Sequence, residues 1–201
     1  MNLFKNLLKS SPALAKERVS KAPTQSKFMP EQKPPTDQHF MENFKRNGGK
    51  FLYCCNQDEV FSTFENILNE NLWSEKEVCC FDENLKSMFG GFNLDYSLNG
   101  EAPYFLSTCE YLIANTGALL VSSNQIKEKK LVELPANFIV LATTSQLADS
   151  IGEGLRGIKN RQQKIPTNIT TIKTFEDNQE SDFMNYGSTS KNLYLLLLED
   201  L

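Results

Sequence analysis

Six residues near the C-terminus, Leu193 to Leu198, form a nearly continuous apolar run. A run that short, apolar on both alternating sides, reads as a strand covered on both faces. Such strands belong to parallel sheets sandwiched between helices, so one segment constrains the fold class of the whole chain. A second stretch supports it. Cys109 to Ala142 holds two strand signals around a tight polar turn, Ala114-Asn115-Thr116-Gly117, with Ala118 to Val121 resuming at once. A charged excursion and a Leu134-Pro135 step then lead into the strand Phe138 to Ala142.

Upstream, Asp37 to Arg46 reads as a helix capped by Thr36 or Asp37, with Phe40 and Phe44 four apart and Asn47-Gly48-Gly49 as its stop. Lys50 to Cys54 is a strand. Gln57 to Leu72 is a helix whose inner face is Val60, Phe64, Ile67 and Leu68. Val78 to Phe81 is a short strand and Asn84 to Phe89 a short helix; Gly90-Gly91 and Asn99-Gly100 mark loops. Thr144 or Ser145 caps a helix predicted to run through Ile151 towards Leu155, and Ile169 to Ile172 is a further strand. The alternation implies a single α/β domain over residues 37–201, three layers α/β/α around a mostly parallel sheet.

Residues 1–36 differ. Through Asp37 the chain carries seven basic side chains against three acidic ones, a surplus of four, and five prolines. The whole chain is at −4, which leaves −8 on the remainder. This segment reads as a basic arm, its first turns amphipathic through Leu3, Phe4, Leu7 and Leu8. Self-docking or contact within a homo-oligomer, docking to a partner, and membrane-surface contact all fit it.

Charge and composition exclude some classes. A net charge of −4 gives no general attraction for nucleic acid. No apolar run approaches the ~18 residues of a membrane span, and no secretory signal is recognisable, so the expected compartment is the cytoplasm. Five cysteines, four of them in the adjacent pairs Cys54-Cys55 and Cys79-Cys80, lack metal-site spacing. They read as small core residues at strand ends, one of each pair facing inward, and no cofactor or metal is expected in this chain. His39 is the single histidine, which leaves no second imidazole for a metal and no ready nucleophile–base pair. Trp73 reads as a packing anchor.

Two glycine-bearing turns are the candidate binding elements. Asn115, Thr116 and Gly117 present a turn whose backbone N–H groups suit a carboxylate or phosphate, or else form a plain β-turn. Gly187-Ser188-Thr189-Ser190-Lys191 combines three hydroxyls and a cation before a buried strand, or else merely closes the sheet. Thr170 is a weaker candidate, since threonine is ordinary in strands. Gly152-x-Gly154-x-x-Gly157 matches a dinucleotide fingerprint but follows a helix instead of a strand, so it reads as a helix end and loop. Arg156, Lys159, Arg161 and Lys164 make a small basic cluster beside it.

The order helix, Asn-Gly-Gly-Lys, strand, Cys-Glu-Tyr-Leu-Ile-Ala-Asn-Thr-Gly, strand, Leu-Pro, strand resembles the LUD-domain family, in particular the lactate utilisation protein C group. The resemblance covers roughly residues 37–201 and is most specific at Ile113 to Gly117, Leu119 to Val121 and Leu134-Pro135. It implies a fold similar to the sugar-phosphate isomerase and CoA-transferase superfamily. It also implies a non-metal subunit of a system oxidising L-lactate to pyruvate, beside partner subunits that carry iron–sulfur clusters. The sequence departs from the group in three places. Asn115 stands where glutamate is usual. Asn168 to Thr174 lacks the Gly-Pro-Ser-x-Thr-x-Asp-Ile motif. Gly187 to Lys191 stands where His-Gly-Pro is usual. Any acid–base role of those groups is not carried over. A stand-alone binding protein or enzyme for a small carboxylate or phosphorylated metabolite, and a structural assembly subunit, are the alternatives.

Overall fold

The computed structural model describes residues 34–98, 100–161, 165–175 and 191–200. From Pro35 onward the chain forms one compact unit. Its elements in chain order are α1 (Thr36–Arg46), β1 (Lys50–Cys54), α2 (Gln57–Glu70), β2 (Glu77–Cys79), α3 (Glu83–Met88), β3 (Asp95–Ser97), β4 (Tyr104–Thr108), β5 (Tyr111–Ile113), β6 (Ala118–Ser122), α4 (Ser123–Ile126), β7 (Asn137–Thr143), β8 (Leu147–Ala148), α5 (Ile151–Arg161), β9 (Ile169–Ile172) and β10 (Asn192–Leu198).

The main sheet has six strands in the order β1-β10-β7-β4-β2-β3, every pair parallel. Strand β10 lies between β1 and β7, and its side chains divide between two cores. Leu193, Leu195 and Leu197 face one, and Tyr194 and Leu196 the other. Helices α2 and α3 cover the second core with Val60, Phe64, Ile67, Leu68, Leu85 and Phe89. The aromatic rings of Phe64 and Phe89 lie 4.3 Å apart there, and Trp73 stacks on Tyr104 at 5.0 Å.

The opposite face is covered by α1, through the stacked pair Phe40 and Phe44, and by a second sheet of order β8-β5-β6-β9. This sheet was not expected. The four residues Ala114 to Gly117 are too few for a crossover, so β5 and β6 must run antiparallel. Helix α5 then closes its outer face, packing Ile158 against Tyr111, Ile113 and Leu120. The architecture is three-layer α/β/α, one outer layer thickened by the extra sheet.

Several expectations need correction. Helix α1 has no side-chain cap: Pro35 precedes it, and the Thr36 hydroxyl donates instead to Asp149 Oδ1 at 2.5 Å. The single helix predicted from Thr144 to Leu155 is three pieces. Thr144–Gln146 is one 3-10 turn, Leu147-Ala148 extends to pair with Leu112 and Ile113, and α5 starts only at Ile151. Pairing at the free edge of β5 outweighs continued helix there. Gly152, Gly154 and Gly157 lie inside α5, not at its end. Cys79 and Cys80 do point to opposite faces, but both are buried because both faces are covered. Strands β3 and β4 fall in stretches to which the sequence pattern assigns no element. Among the described residues no helix is long and apolar enough to cross a membrane.

Candidate functional site

The parallel strands all end on one edge, and in open α/β sheets ligands bind beyond the carboxyl ends. Here that edge carries a continuous polar network built from the segments that follow β4, β6, β7 and β10. Asp200, two residues past β10, accepts from the Thr144 hydroxyl at 2.7 Å and the Ser145 N–H at 2.9 Å through Oδ1. Its Oδ2 accepts from the Ser145 hydroxyl at 2.6 Å. Burial pushes this carboxyl up, but the Ser145 and Thr144 donors outweigh it and hold it down at about 2. Thr143 Oγ1 lies 3.0 Å from Ser145 Oγ and 3.5 Å from Gln146 Oε1, so its hydroxyl belongs to the same cluster.

Gln146 joins this cluster to β4. Its Nε2 donates to the carbonyls of Cys109 at 2.5 Å and Glu110 at 3.3 Å, while its Oε1 accepts from the Thr143 N–H at 2.8 Å. Glu110 is a buried carboxylate just beyond β4. Its Oε1 accepts from Ser122 Oγ at 2.6 Å and Asn124 Nδ2 at 2.9 Å. On the same edge β1 ends at Cys54, and α2 departs under its Asn56 cap. The rim thus offers one ionised, solvent-reached carboxylate, a row of hydroxyls and a second carboxylate held deeper. That set suits a ligand carrying hydroxyl or ammonium donors.

The sequence candidates lie elsewhere. Asn115, Thr116 and Gly117 have their amides engaged: Asn115 N–H donates to Asp149 O at 3.1 Å, and Thr116 and Gly117 N–H donate to Ile113 O at 3.4 and 2.8 Å. Their carbonyl side is clamped by α1. Asn43 Nδ2 donates to Ala114 O at 2.8 Å, and Asn47 Nδ2 donates to Thr116 O at 2.7 Å. Gly117 sits at φ +65° with its Cα against the Asn43–Phe44 backbone, so the glycine serves close packing. Thr170 occupies the β9 ladder opposite Val121. Lys191 is buried. Its ammonium donates to Leu134 O and Pro135 O, both at 2.9 Å, and lies 5.2 Å from the Phe138 ring centre. Burial lowers it to about 8.

Lys191 and the 115–117 turn do gather at one end, linked through Asn47, whose carbonyl accepts from Phe175 N–H, and Thr174, whose carbonyl accepts from Lys191 N–H. That end is the amino end of the strands, opposite the polar rim. Gly187, Ser188, Thr189 and Ser190 lie outside the described residues, as does Lys164.

Sequence reasoning missed Glu110, Ser122, Gln146 and Asp200. One signal was available: each lies at, or within about three residues after, the carboxyl end of an apolar strand. Among the described residues no group of three or more His, Cys, Asp or Glu side chains is placed to hold a metal ion.

The family model described as LUD domain matches residues 95–198. A search of curated proteins yields no match. Among solved structures, the chain is similar to a DUF162 family protein from Deinococcus radiodurans, with TM-score 0.60 and 12% identity. That alignment covers 82% of this chain and 96% of the other, and the likeness is one of fold. The LUD-domain match takes in every strand from β3 to β10, more than half of the chain, and the chain belongs to the LUD domain family.

Proposed function

We propose that the chain is a lactate utilisation protein C-like subunit, a non-metal component of a system that oxidises L-lactate to pyruvate beside partner subunits carrying iron–sulfur clusters. Within that system its own task is to receive a small carboxylate or phosphorylated metabolite at the carboxyl-end rim. The observation that carries this reading is the coincidence of the family match with the rim: residues 95–198 supply β4, β6, β7 and β10, the strands whose ends bear the polar network. A 2-hydroxy acid presents an anion and a hydroxyl on adjacent carbons. The Asp200 carboxylate can accept from such a hydroxyl, while its own charge turns the ligand's anion away from it towards solvent.

The test has two arms. The full chain is isolated from its native cell, and cluster-bearing partners are sought in the same complex by absorbance and mass spectrometry. Separately, L-lactate, pyruvate and a sugar phosphate are screened for thermal stabilisation of the purified chain and of Asp200→Asn. Copurification with cluster proteins supports the subunit role. Stabilisation without partners, lost in Asp200→Asn, supports a stand-alone binding protein working at the same rim. Neither result leaves a structural assembly subunit and overturns the proposal.

A further inference from the structure

On the outer side of the second sheet a groove of about 370 Å³ runs between α5 and strands β5 and β8. The glycine pattern of α5 explains its shape. Gly154 and Gly157 are one turn apart on the face towards β5. A Cβ on Gly154 would lie 3.1 Å from Ile113 Cδ1, and one on Gly157 would fall on the Tyr111 hydroxyl. Without side chains there, the helix rides low on the sheet and pins the Tyr111 phenol against its backbone. The Arg161 guanidinium lies 4.5 Å from the centre of the same ring. Tyr111, Leu147 and Ala148 therefore make a fixed wall that shows a small apolar area to the groove.

The helix side carries charge. Glu153, Arg156 and Asn160 follow at i, i+3 and i+7, one face of α5, and all three line the groove. An acid followed by a base three residues later usually pairs on a helix. Here no ion pair joins them among the described residues. Glu153 Oε2 accepts from Asp149 N–H at 2.8 Å, which turns the carboxylate towards the helix start. Arg156 Nε donates to Gly152 O at 3.3 Å, which leaves its two terminal nitrogens for the groove. Two opposite charges thus face one small space without neutralising each other.

We propose that this groove binds a small zwitterion, a free α-amino acid with an apolar or aromatic side chain. Its carboxylate meets Arg156 and Asn160, its ammonium meets Glu153, and its side chain lies on Tyr111, Leu147 and Ala148. The charge pattern selects this class. A plain anion is opposed by Glu153, and a plain cation by Arg156 and Arg161. A molecule bearing both signs on adjacent atoms satisfies both walls, and the volume suits a ligand of that size.

The test uses the full chain in calorimetric titration, with ligand-observed NMR as a second readout. The probes are L-phenylalanine and L-leucine, with 3-phenylpropionate (no ammonium) and phenethylamine (no carboxylate) as matched controls. A charge-assisted hydrogen bond contributes about 1.5–3 kcal/mol, so each single-charge analogue should bind ~10–100-fold more weakly. Arg156→Gln and Glu153→Gln should each lose a similar factor, and both change exposed side chains, so the fold persists. Lys159→Gln, on the same helix but outside the groove, should bind as the parent does. Absence of binding by the parent at about 10 mM amino acid, equal binding of 3-phenylpropionate, or undiminished affinity in both charge variants would each overturn the proposal.

Discussion

Replacing Gly117 by alanine separates a packing role from a binding role at the 114–117 turn. At φ +65° an alanine carries the left-handed penalty of roughly 1–2 kcal/mol. Its methyl would also overlap the Asn43 carbonyl carbon and the Phe44 nitrogen, which belong to the backbone of α1 and cannot rotate aside. Forcing a methyl into such a contact adds about 1–3 kcal/mol. The sum, about 2–5 kcal/mol, is a large share of the ~5–15 kcal/mol that holds a domain together. Urea denaturation read by Trp73 fluorescence and by circular dichroism should show a midpoint lowered by about 1–2 M with an unchanged slope. Asn115→Ala removes an exposed side chain two residues away and should cost less than about 0.5 kcal/mol. If Gly117→Ala unfolds at the parent's midpoint, the clamp between α1 and the turn is not a determinant of stability and the reasoning fails.

Other outcomes follow from buried groups. Lys191→Met strands the Leu134 and Pro135 carbonyls and should destabilise by about 1–3 kcal/mol. Because burial lowers Lys191 to about 8, the unfolded chain holds the extra proton between there and the ordinary lysine value. The parent's stability relative to Lys191→Met should therefore rise from about pH 8 to pH 10.5, and stay flat below; melting temperatures of both proteins across that range check it. Ser145→Ala removes the hydroxyl's donation to Asp200 and keeps the backbone one, so an NMR titration should find that carboxyl raised from about 2. The parent's acid stability is present above the ordinary aspartate range and declines as pH falls towards 2, and the variant should lose it at higher pH. Finally, burial pushes the thiols of Cys54, Cys79, Cys80 and Cys109 up, and all four are covered. A thiol reagent on the native protein should modify Cys55 first, and rapid labelling of the others would contradict the packing.

Local pattern carried the main sheet a long way. The apolar run 193–198 is β10, covered on both faces as its composition requires, and the inner face read for the second helix is the one α2 buries. What stayed illegible depends on distance along the chain. Glu110 meets Ser122 and Asn124 only because β5 and β6 fold back on each other, and Asp200 meets Ser145 across 55 positions through the adjacency of β10 and β7. No local rule pairs such residues. The 115–117 turn is ambiguous for the converse reason. Its composition suits anion binding and close packing equally, and the packing partner, Asn47 at the end of α1, lies nearly 70 residues earlier. The helix predicted across Leu147 failed because two residues found a strand edge to complete.

The position of β10 also governs how a ribosome-bound chain can assemble. This strand is synthesised after every strand it joins, yet it fills the slot between β1 and β7. Until it emerges, both of those edges stand open and their unpaired backbone groups are exposed to other nascent chains. The protein should therefore depend on holdase chaperones during translation, and a stalled chain ending before Asn192 should be captured by them far more than the released one.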